Sequence, residues 1–281
     1  MNIWAKAAQF LEAGTPCVMV EVTKAEGSTP REAGAKMLVT PRGFSGTIGG
    51  GTLEWRAMAE AQAMLGKPGI TRTIVRALGP DLGQCCGGRV NLSLQSLTMA
   101  DLEHAKTMAE SEIEDLTQLH LWGGGHVGRA LVIALAPLPY RVTWWDQREG
   151  AFPAMVPENV TCRNGAIDEM TEPGLVLVMT HNHKLDFDVV DYALRQDKFF
   201  RVGMIGSDTK NVRFRKRLAA AGQTPDALER MVCPIGSKAI VSKFPAIIAA
   251  TLVVQLLEWQ QMLKTAEIPL SAPQHLVKVA K

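Results

Sequence analysis

The sequence predicts an α/β protein with two domains: an N-terminal α/β domain over residues 1–98 and a Rossmann-like parallel-sheet domain over residues 118–281. Three observations predict it. Gly123-Gly124-Gly125-His126-Val127-Gly128 closes an apolar strand, Leu119–Trp122, and opens into an apolar helical stretch, Arg129–Ala136. Further strands at Tyr140–Trp145, Leu175–Thr180 and Arg201–Ile205 alternate with helical segments, the pattern of a parallel sheet covered on both faces. Residues 99–117 are polar and acidic and read as a linker between the halves.

The first domain is expected to begin with an amphipathic helix over residues 2–13, followed by a valine-rich strand, Cys17–Thr23. A loop over Ala25–Gly34 leads to a second strand, Lys36–Thr40, and Pro41-Arg42-Gly43 turns the chain into a glycine-rich stretch, Ser45–Gly51. Thr52–Leu65 has the composition of a helix. Strands at Thr71–Leu78 and Arg89–Leu97 bracket a second glycine-rich loop, Gly79–Gly88. In the second domain the final helix, from about Pro245 to Leu263, is apolar on one side and suited to cover a sheet or a partner.

The totals exclude several classes. A net charge of +2 on 281 residues gives no basic face for nucleic acid, and Arg213–Arg217 reads as a solvated helix face. The apolar runs stay below the roughly 18 residues that a membrane span requires, and the first residues lack the pattern of a signal peptide. Five cysteines at irregular spacing do not form a disulfide framework, so a reducing cytoplasm is expected.

Four constellations carry chemistry. In the fingerprint, Gly123 allows the tight turn, Gly125 lets a pyrophosphate approach the backbone, and Gly128 lets helix and strand pack closely; His126 lies between them. Asp146 follows at the end of the next strand, about 20 residues on, where an acidic side chain accepts from a ribose hydroxyl. The alternative is a glycine turn with no ligand. His181 and His183 lie in a loop at the carboxyl end of a parallel strand, where ligands bind, and imidazole is both ligand and base near neutral pH. Gly27–Arg31 and Gly46–Gly51 read as anion loops: Thr47, Gly49, Gly50 and Gly51 would offer backbone amides, and Arg31 a bidentate cation. Cys85 and Cys86 sit among glycines with Arg89 nearby, a setting that leaves thiols accessible and favours thiolate, and Cys85 is the first choice for a ligand contact.

These segments together resemble the XdhC/CoxI family, the accessory proteins of xanthine dehydrogenase and related molybdenum hydroxylases. The match runs through GSTPREAGAKMLV (27–39), GTIGGGTLE (46–54) and LGQCCGGRVNL (82–92), then WGGGHVGRAL (122–131), VMTHNHKLD (178–186), VGMIGSDTK (202–210) and CPIG (233–236). The resemblance implies a chaperone that binds molybdenum cofactor (molybdopterin), protects it during sulfuration and delivers it to the apo-hydroxylase, beside a cysteine desulfurase. It implies a homodimer, with Cys85 as a molybdenum contact, and either a nucleotide or the cofactor's phosphate at the glycine fingerprint. Two departures from the family pattern stand at Ser237–Lys243 and at Gln255. The competing functions are an NAD(P)-dependent oxidoreductase, with His181 or His183 as proton donor, and a nucleotidyltransferase acting on the cofactor.

Overall fold

A computed structural model describes residues 2–78, 87–114 and 116–265. The chain divides into two compact units, Met1–Asp115 and Leu116–Lys281.

The first unit comprises α1 (Ile3–Glu12), β1 (Cys17–Glu26), β2 (Lys36–Thr40), β3 (Gly43–Gly46), α2 (Gly51–Met64), β4 (Thr71–Ala77), β5 (Arg89–Leu97) and α3 (Leu102–Glu114). The strands form an antiparallel sheet in the order β3-β2-β1-β5-β4. Strand β1 shows why helices cover both faces. Val18, Val20 and Val22 point to the α2 side, where they meet Leu53, Ala57 and Ala61. Cys17 and Met19 point the other way, to Trp4, Ala8 and Leu11 of α1 and Ala105 and Ala109 of α3, as the two-residue period of a strand requires. Thr98 and Asp101 cap the turn into α3, whose Ala109 carbonyl accepts from the Asn2 side chain at 2.7 Å. The polar stretch expected to link the domains is therefore folded into the first unit, because α3 buries its alanines against α1.

The second unit comprises β6 (Thr117–Trp122), α4 (His126–Leu135), β7 (Tyr140–Trp145), β8 (Val160–Arg163), β9 (Gly174–Val178), α5 (His183–Arg195), β10 (Phe199–Met204), α6 (Asp208–Ala220), α7 (Pro225–Glu229), β11 (Met231–Val232) and α8 (Pro245–Thr265). All pairings are parallel, in the order β11-β10-β9-β6-β7-β8, the strand order of a dinucleotide-binding sheet. Connections run in opposite directions from β6 and β9, so the topological switch point lies between these two strands. Helices α4 and α8 cover one face with Leu131, Leu135, Leu252, Leu256 and Trp259. Helices α5 and α6 cover the other with Val189, Val190, Phe214 and Leu218.

Helix α8 is long and apolar enough to cross a membrane. Leu252, Leu256, Trp259 and Leu263 belong to the core, which is how a helix that covers a sheet uses that composition. Gln255, the departure in this helix, accepts from the Gly236 backbone N–H at 2.9 Å and so holds the segment that follows β11.

Candidate functional site

At the switch point the glycine turn and the loop after β9 lie side by side. Gly123 N donates to Trp145 O and Met179 N to Trp122 O, both at 2.8 Å. Gly123 has φ +119°, and a β-carbon there would overlap the Met179 carbonyl. Only glycine satisfies both demands. The Gly123 carbonyl accepts from Trp144 Nε1 at 2.9 Å and lies so near Gly128 that any side chain on α4 at that position would collide with it. The reasons assigned to Gly123 and Gly128 are thus visible in the packing. Gly125 is the exposed N-cap of α4, and His126 is its exposed first residue.

Asp146 is buried at the end of β7, where the sequence places it, and its carboxylate already has partners. Oδ2 accepts from Gly124 N at 2.6 Å and from Arg148 at 2.8 Å, while Oδ1 accepts from the Arg148 backbone and Nε, both at 3.0 Å. Burial pushes the carboxyl up, but the Arg148 and Gly124 hydrogen bonds outweigh it and hold the pKa at about 2. Arg129 closes the other side of the turn, reaching Gly124 O at 3.2 Å and Ala151 O at 2.9 Å.

His181 and His183 are exposed in the neighbouring loop, His183 at the first position of α5. Asn182 caps that helix, its side chain accepting from Lys184 N at 2.8 Å. The ordering group of the loop is Asp186, which the sequence reading did not single out. Its buried carboxylate accepts from Thr180 N at 3.1 Å, Thr180 Oγ1 at 2.7 Å and Lys210 Nζ at 2.8 Å. His183 Nδ1 lies 3.7 Å from the same carboxylate. Among the described residues no cluster of three or more histidine, cysteine or acidic side chains is arranged for a metal.

In the first unit three glycine-rich segments converge. A β-carbon on Gly49 would meet Pro30 Cγ at 2.6 Å and Arg31 Cγ at 3.5 Å, so the 27–31 and 46–51 loops are in contact. Gly88 lies against the Ser28 carbonyl with no room for a side chain, and Gly27 packs on Gly87 and Gly88. Arg31 and Arg89 are both exposed around this convergence. Cys85 and Cys86 lie outside the described residues.

The 46–51 loop differs from the open anion cradle expected of it. Glu54 Oε2 accepts from the Thr47 hydroxyl, from Ile48 N at 3.0 Å and from Gly50 N at 3.1 Å. Gly49 N in turn donates to Thr47 Oγ1 at 3.1 Å. The chain supplies its own anion to this nest of amides, which orders Thr47–Gly51 and fixes the Glu54 side chain. Gly51 is the first residue of α2.

Both units match models of known protein families. Residues 10–76 match the profile of the XdhC and CoxI family, and residues 119–256 that of the XdhC Rossmann domain. The chain is 28% identical over 270 residues to the uncharacterized protein YqeB of Escherichia coli (strain K12), covering 92% of this chain and 46% of that protein. It thus spans about half the length of that curated relative. A crystal structure described as a xanthine dehydrogenase from Bacillus halodurans has a similar fold: TM-score 0.78, 20% identity, 95% of this chain and 98% of that one covered. At that identity the likeness shows the fold alone. By the two matched segments, which carry the 27–31 and 46–51 loops and the glycine turn at 123–128, the chain belongs to the XdhC and CoxI family.

Proposed function

We propose that the protein is an accessory chaperone that binds molybdenum cofactor, protects it during sulfuration and delivers it to an apo-hydroxylase of the xanthine dehydrogenase type, with a cysteine desulfurase as sulfur source. The convergence of the 27–31, 46–51 and 87–89 segments carries this reading. They bring the loop that bears Arg31 against the loop that Glu54 orders and against Gly88, the residue before Arg89. A phosphate-bearing pterin dithiolene calls for cations, hydrogen-bonding groups and a soft donor near the metal. The cytoplasm is the compartment, and a homodimer is the working form.

A second reading concerns the other unit. The strand order and the place of Asp146 at the end of β7 favour a nucleotide at the glycine turn, as an NAD(P)-dependent oxidoreductase or a nucleotidyltransferase would need, with a ribose sharing the carboxylate with Gly124 and Arg148. Both readings meet in one experiment. The protein is purified from cells that make the cofactor and from cells that cannot, and each sample is oxidised and assayed for fluorescent pterin. Pterin in the first sample alone supports the chaperone. Its absence from both, with turnover of a nicotinamide or nucleoside triphosphate, replaces that reading with the enzymatic one.

A further inference from the structure

Beside the Glu54 nest lies a cleft of about 670 Å³, lined by Phe44, Gly51, Thr52, Glu54, Trp55 and Arg56 among others. Its size falls in the range of small-molecule sites. Two large aromatic side chains border it unburied: Trp55 is 71% exposed on α2 and Phe44 51% exposed on β3. Exposed aromatics gathered at one concave surface mark a binding face more often than a packing accident. Oε2 of Glu54 takes all three loop donors, and Oε1 receives none from the described residues. The loop donors hold the side chain in place at the cleft it lines, with Oε1 unpaired among the described residues.

The ligand that fits is a flat ring whose edge carries adjacent N–H donors. A 2-amino-4-oxo pyrimidine ring presents its 2-amino group and N3–H side by side, with no lone pair between them. The amino group of an adenine is flanked by ring nitrogens whose lone pairs a carboxylate repels. Charged acceptors make the stronger hydrogen bonds, and flat rings gain further by stacking on aromatic faces. We propose that Glu54 binds the 2-amino-4-oxo edge of a pterin while Trp55 and Phe44 hold its faces, with Arg56 toward a phosphate. This site rests on the cofactor-binding reading above and names where the ring is gripped. Guanine shares the same edge, so the test must separate the two.

Full-length protein and the variants Glu54→Gln, Trp55→Leu and Phe44→Leu are purified from cofactor-making cells, and their pterin content is measured with their melting temperatures. In Glu54→Gln the amide oxygen can still accept from the loop, and the NH2 then faces the ring's donors. Retained pterin should fall about tenfold or more in Glu54→Gln and in Trp55→Leu, with little change in melting for the exposed Trp55 and Phe44. Wild-type protein that carries pterin while all three variants keep it overturns this site and leaves the chaperone function standing. Wild-type protein without pterin removes both. In a second arm, fluorescence titration with pterin-6-carboxylate is competed with GMP and AMP. Displacement by GMP well below the pterin concentration assigns the site to guanine and overturns the pterin assignment; indifference to AMP is expected.

Discussion

Lys210 Nζ lies 2.8 Å from Asp186 Oδ2, an ion pair that joins the first turn of α6 to the first turn of α5 across two crossover loops. The Asp186 side chain is fully buried and that of Lys210 only 15% exposed. Removing one partner would leave a buried charge without its counter-ion, which costs about 3–5 kcal/mol. Lys210→Met should lower stability by that order in denaturant titration. Lys210→Met combined with Asp186→Asn should recover much of it. A single substitution costing under about 1 kcal/mol would show that the pair contributes little.

The glycine turn makes a steric prediction. Gly128→Ala sets a β-carbon onto the Gly123 carbonyl, so either α4 or the turn must move. Overpacking of this kind costs about 1–3 kcal/mol. Gly125→Ala meets no atom within 4 Å and should be far milder. Equal melting temperatures for the two variants would contradict the packing described.

Asp146 gives a pH dependence. Its folded pKa of about 2 lies below the ordinary carboxylate value near 3.9. The stability it contributes is therefore complete above about pH 4 and is lost as the pH falls through about 2. Arg148 is 47% exposed, and solvent screening reduces the contribution to about 1 kcal/mol. The stability difference between wild type and Asp146→Asn should shrink from pH 4 to pH 2. A difference constant over that window would mean that Arg148 does not hold the carboxylate.

Tyr140 is fully buried at the start of β7, and its hydroxyl finds no partner among the described residues. Burial pushes the phenol well above its usual range. A polar group buried without a hydrogen bond is a liability, so Tyr140→Phe should raise stability by about 1 kcal/mol. A lower melting temperature for the variant would reveal a bond to that hydroxyl.

What the sequence discloses follows how local each cause is. The reasons for Gly123 and Gly128 lie within one turn, and Asp146 lies one strand further, so strand, turn and acid can be read in order. Asp186 has no such signature: Thr180 lies six residues before it, but the cation that pairs it, Lys210, is 24 residues away and is brought near only by the return of the chain through β10. Strand β3 is hidden for another reason. Gly43–Gly46 has no apolar alternation and pairs as an edge strand because β2 offers it a template. Glu54 is visible in the sequence at the start of a helix, yet four glycines in six residues suggest an open cradle. That the protein fills the cradle itself depends on the angle at which α2 leaves the loop.

Gln260 donates to Thr117 Oγ1 at 2.7 Å and to the Pro139 carbonyl at 3.0 Å, joining residues 143 positions apart. The strand that opens the second unit is thus sealed by the helix that closes its core. On the ribosome, β6 and β7 emerge long before their cover, and Leu119, Leu121 and Val142 wait in water until Leu252–Leu263 is made. That delay is the interval in which neighbouring nascent chains can associate through the same surface. Slowing translation before α8 should therefore lower the yield of soluble protein more than an equal pause after it.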